Sequence, residues 1–153
     1  MLNALTIYKS IHIIAAVIWI GGDVALHVVG VRAKKAGPQH AGWFAREAGF
    51  YAKFILTPAA LVLIVFGFLT LNQESLKVSE LWVSLALAVW IASFLASAFY
   101  IGPTADRLGK AVAAAGGTMP AEQAPVFDRL LLYARVEMLF LLLIVVDMVV
   151  KPT

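Results

Sequence analysis

Lys9, His12, Asp23 and His27 lie inside an apolar, helix-length segment, YKSIHIIAAVIWIGGDVALH, spanning residues 8 to 27. At about 100° per residue, Lys9, His12, Ala16, Trp19, Asp23 and His27 fall within roughly 80° of one another around a helix. The positions between them are Ile, Val, Ala or Leu, apart from Ser10 and the Gly21-Gly22 pair. An amine, a carboxyl and two imidazoles on one stripe can form ion pairs, move protons, or ligate haem iron or a metal through neutral imidazole. Facing lipid, each would cost several kcal/mol, so the stripe is expected to face protein, a cofactor or trapped water.

The rest of the 153-residue chain must supply that protein interior. The sequence is 62% hydrophobic and 14% charged, with a mean hydropathy of +0.90. A water-soluble domain of this size could not hide so much apolar surface, which makes lipid the solvent. Four runs are long enough to cross about 30 Å of hydrocarbon, at residues 5–29, 52–71, 81–101 and 130–150. The expected fold is all-α: one integral membrane domain, residues 1–153, built as a four-helix bundle. The first run is too long for the core of a signal peptide and contains Lys9, so it reads as a retained span. Thr57-Pro58 predicts a kink in the second run, and Gly102-Pro103 ends the third.

Cysteine is absent, which removes disulfides and thiolate metal sites. The net charge of +3 comes from loop residues. With no basic face carrying interleaved aromatics, no nucleic-acid partner is expected. Arg32, Lys34, Lys35 and Arg46 follow the first run, and Arg107, Lys110 and Arg129 lie between the third and fourth. The positive-inside rule then places loops 32–48 and 103–128 in the cytoplasm and both termini outside, in a multi-pass protein of the bacterial inner membrane.

Depth along the spans suggests two polar levels. Lys9 pairs with Asp147 at the outer level and Asp23 with Arg135 at the inner, since buried charges persist in a membrane when paired. Glu137 projects away from Arg135 and is expected to snorkel or to mark an oligomer contact. His12 is either a hydrogen-bonding core residue or a haem or metal ligand. His27 meets headgroups or water, or joins the site. Trp19 is core packing or a cofactor wall. His40, in a loop, carries little signal. Spans two to four contain no histidine, so a bis-histidine haem within one monomer is excluded. The remaining options are a second ligand such as Tyr8, Lys9, Met138 or Met148, five-coordinate iron, or a site shared across a dimer.

A weak internal repeat aligns VIWIGG (17–22) with AVWIAS (88–93), and LVLIVFGF (61–68) with LLLIVVDM (141–148). It is consistent with a duplicated helical hairpin.

YKSIHIIAAVIWIGG, with Lys9, His12, Trp19 and Gly21-Gly22, resembles the opening helix of a superfamily of small bacterial membrane proteins. That superfamily includes the copper-resistance CopD-like proteins and the HemJ protoporphyrinogen oxidases. The closing DMVVKPT, the Gly-Pro after the third run and the four-span layout are similar to a related branch of predicted integral membrane proteins with no assigned activity. The HemJ resemblance implies b-type haem on His12 and haem-dependent oxidoreductase chemistry. A lysine found in the third span of HemJ has no counterpart in LWVSLALAVW, a departure that bears on porphyrinogen oxidation and leaves haem binding open. The CopD resemblance implies copper handling, without the Met-rich sequence copper prefers.

The expected function is binding of haem b for redox or electron transfer, with His12 as metal ligand and Lys9, Trp19, Asp23, His27 and Arg135 around the cofactor. The alternatives are transport of a metal ion or small solute, or an accessory role in a membrane complex. The expected partners are the lipid bilayer and a second copy or a larger membrane assembly.

Overall fold

A computed structural model describes residues 3–151, and every described element is helical. The first helix, α1 (Ala4–Ala36), starts where the Asn3 side chain accepts the Thr6 amide at 2.8 Å. Its 33 residues run about 50 Å, well beyond a bilayer core. It stops at Gly37, whose φ of +112° is one that L side chains rarely adopt.

After this single-residue break, α2 (Pro38–Tyr51) turns back along α1 and passes through a π-helical turn (Ala52–Leu56) into α3 (Thr57–Gln73). The second half has the same kinds of rod in the reverse order. Helix α4 (Leu81–Ala96) passes through a π turn (Ser97–Ile101) into α5 (Gly102–Ala114), and α6 (Ala124–Val150) returns. The residues read as basic loops are therefore largely helical: the membrane helices continue as stalks at the end bearing Arg32, Lys34 and Lys35.

Each π turn ends two residues before a proline, Pro58 or Pro103. Proline supplies no amide to the preceding turn and crowds its carbonyls, and the wider π turn relieves both. The Thr57 hydroxyl donates to the Ala52 carbonyl at 2.9 Å, which satisfies an acceptor in that turn. The kink expected at Thr57-Pro58 takes this form.

Three of the four rods are long and apolar enough to cross a membrane: Ala4–Ala36, Pro38–Gln73 and Leu81–Ala114. The fourth, α6, is 27 residues long and carries Arg135, Glu137 and Asp147. Large apolar side chains cover the outside, with Phe99 78% and Val149 79% exposed, a surface suited to lipid rather than water.

Two buried clusters hold the rods together. Ala15, Trp19, Ala59, Ala60, Leu63 and Leu141 form the membrane cluster, where three alanines let α1 and α3 approach closely. Trp90 of α4 packs against it and donates its indole N–H to the Ala60 carbonyl at 3.1 Å. At the basic end Phe44, Leu108, Val112, Met119 and Phe127 pack with Ala33, Ala41, Ala45 and Leu131. There the α5–α6 connection is tied to α2 through the Met119 amide and the Pro38 carbonyl, 3.0 Å apart.

Candidate functional site

The polar stripe of α1 divides between two cavities, one on either side of the membrane cluster. Toward the termini, His12 lines a cavity of about 210 Å³ with Lys9, Leu63, Gly67, Glu74 and Met148. His12 Nδ1 lies 2.8 Å from the Leu63 carbonyl oxygen. A carbonyl only accepts, so Nδ1 carries a proton, and in the neutral ring Nε2 is then the nitrogen with the free lone pair. The ring fits there because residue 67 is glycine: a Cβ at that position would lie 3.1 Å from His12 Cε1 and 3.2 Å from Nδ1.

The ion pairing at this level differs from expectation. Lys9 pairs with Glu74 at the end of α3, not with Asp147. Asp147 Oδ2 is buried without a hydrogen-bond partner. Glu74 follows the last turn of α3, the helix most extensively packed against α1, whereas Asp147 is carried on α6. Lys151 places its ammonium 5.2 Å from the Trp82 ring centre, a cation–π distance at the same cavity.

Toward the basic end lies a larger cavity of about 430 Å³. Asp23 and His27 reach it from α1, Lys53 from the first π turn, Asp106 from α5 and Glu137 from α6. Both π turns contribute to its wall. Such turns recur at functional sites because the extra residue widens the helix and re-aims its side chains.

His27 is only 8% exposed, and neither its Nδ1 nor Asp23 Oδ2 has a hydrogen-bond partner. Asp23 lies within electrostatic reach of Glu137 rather than in an ion pair with Arg135. The ion pairs among the described residues are Lys9–Glu74 and Lys34–Asp128.

Arg135 is exposed and lines neither cavity, though its charge lies within electrostatic reach of His27. Glu137, placed outside by sequence reasoning, turns inward beside the buried Ser93. The two face opposite ways around α6, as the helical wheel requires. Which of them faces inward is decided by the rotation of α6 against α4 and α1. Trp19 is 8% exposed within the membrane cluster and lines neither cavity, so it acts as packing between the two levels. His40 is exposed on α2.

Sequence reasoning missed Ser93, Glu137 and the role of Gly67. A signal for the larger cavity was present in Thr57-Pro58 and Gly102-Pro103, the two breakers whose preceding π turns line it. No group of three or more His, Asp or Glu suited to a metal ion occurs among the described residues.

Residues 6–152 match the model of a family described as a predicted integral membrane protein family, DUF2269, and the chain belongs to that family. No curated protein matches it. No solved structure matches it either.

Proposed function

We propose that this member of an integral membrane family binds b-type haem through His12 and uses it for electron transfer or oxidation within the bilayer. The observation that carries the reading is the bond from His12 Nδ1 to the Leu63 carbonyl. Ligating histidines typically donate their other ring N–H to a carbonyl or carboxylate, which fixes the tautomer and presents Nε2 to the metal. Met148 lines the same cavity, and its thioether would be a second ligand for the haem iron beside His12. Lys151 stands at the same cavity, where its ammonium suits a propionate.

At about 210 Å³ the cavity is smaller than a haem. Uptake therefore requires apolar side chains such as Ile64, Phe68 and Leu87 to part toward lipid. When bound, haem supplies the one-electron chemistry. The protein holds the ligating imidazole in one tautomer and surrounds it with apolar walls. The membrane cluster between the two cavities favours this reading over transport, since a solute crossing between levels would have to displace Trp19 and Leu63. The same proposal places the basic end in the cytoplasm of a bacterial cell, with the haem level near the outer face of the inner membrane.

Absorbance spectroscopy tests it. Protein expressed with ample haem supply is expected to show a Soret band that His12→Ala abolishes or shifts and His40→Ala leaves unchanged. The absence of any Soret band in the wild-type protein overturns the proposal.

A further inference from the structure

The cavity between the π turns does not belong to the His12 level, and carboxyl groups outnumber cationic side chains in its lining. Asp23 and Glu137 present carboxyl groups, Asp106 adds a third at the rim, and His27 supplies an imidazole ring. Lys53 is the single lysine or arginine among the lining residues. It is exposed and its ammonium lies 5.6 Å from the Phe54 ring centre, so it forms no ion pair with Asp23 or Glu137 among the described residues. An unpartnered carboxyl oxygen and an unpartnered imidazole nitrogen, both shielded from solvent, leave acceptor capacity that buried groups ordinarily satisfy. His27 is more than nine-tenths buried and borders the cavity. Most of the remaining wall is apolar, including Leu26, Leu56, Phe94 and Leu130.

We infer that this cavity binds a small protonated amine carrying an apolar body, with its ammonium between Asp23 and Glu137 and its body against the π-turn walls. The volume of about 430 Å³ falls within the range of about 300–1,000 Å³ usual for small-molecule sites. The pattern of mostly apolar lining with a few convergent polar groups is also usual. A metal ion fits less well, because the acids and His27 do not converge into a metal-holding group among the described residues. An ammonium needs only two acceptors about 3 Å from its nitrogen, fewer than the three-residue group a metal ion would require. In this low-dielectric setting it supplies the opposite charge that the carboxylates lack.

Equilibrium dialysis of the full chain in non-ionic detergent can test this with 1-naphthylmethylamine and its uncharged analogue 1-naphthylmethanol as probes. The amine is expected to bind saturably and at least tenfold more tightly than the alcohol. Asp23→Asn and Glu137→Gln, near-isosteric changes, are each expected to weaken amine binding tenfold or more. His12→Ala is expected to leave it unchanged, which separates this site from the haem level. Equal binding of amine and alcohol by the wild-type protein overturns the inference, and that comparison does not depend on any variant folding. Retention of full amine affinity in both acid variants, or displacement of the amine by equimolar Mg²⁺, overturns it as well.

Discussion

Replacing Gly42 with alanine tests the packing that closes the basic end over the larger cavity. A Cβ at this position would lie 2.3 Å from the Gly117 carbonyl oxygen, 3.0 Å from the Met119 nitrogen and 3.1 Å from the Thr118 carbonyl carbon. All three are backbone atoms, so no side-chain rotation relieves the contact. Ordinary contact begins at 3.4 Å, and the α5–α6 connection would have to retreat by about 1 Å. It is poorly able to do so. Gly116 and Gly117 hold φ of +72° and +92°, the Met119 amide is bonded to Pro38, and Met119 is buried in the basic-end cluster. Overpacking of this kind costs about 1–3 kcal/mol, and losing the Met119–Pro38 bond adds about 0.5–1.5 kcal/mol. The gain in helix propensity from Gly to Ala offsets up to about 1 kcal/mol.

The net expectation is a loss of about 1–3 kcal/mol. At roughly 2–4 °C per kcal/mol for a chain of this size, the thermal midpoint should fall by roughly 2–12 °C. Helical circular dichroism followed with temperature in detergent measures it. Gly21→Ala is the control, because nothing lies within 4 Å of a Cβ there, and its midpoint should hold or rise. A Gly42→Ala protein that melts no lower than Gly21→Ala would refute the proposed fit of the connection against α2.

Gly67→Leu should push the His12 ring off the Leu63 carbonyl and lower stability by about 1–3 kcal/mol. Adding His12→Ala should recover part of that loss, and a double variant no more stable than Gly67→Leu alone would count against the contact. Orientation is checked by reporters: alkaline phosphatase fused after Thr153, active only outside the cytoplasm, should be active, and a cytoplasm-only reporter active at that position would reverse the assignment.

Hydropathy and helical spacing, read without coordinates, were enough to identify a membrane-embedded helical chain. They also placed Lys9, His12, Asp23 and His27 on one inward stripe. Burial in lipid imposes a local rule on each segment, and a 100° wheel expresses it. The disturbance at Thr57-Pro58 was legible for the same reason, since the missing proline amide disturbs only its own helix, whereas Gly102-Pro103, expected to end the third helix, is bridged by a π turn into α5.

Tertiary structure decided the partners. Lys9 meets Glu74 rather than Asp147 because α1 packs along α3, bringing the α3 terminus within reach. Glu137 enters the larger cavity while Arg135 faces out because α6 is rotated by its contacts with α1 and α4, and periodicity alone leaves that rotation free. The two π turns each insert a residue and advance the phase of the following segment by about 100°. A regular wheel drawn through α2–α3 or α4–α5 therefore loses its register where the cavity forms. Which charges meet depends on the relative rotation and axial offset of separate helices, and that is set by packing among Ala15, Ala59, Ala60 and Leu63 rather than by any one segment.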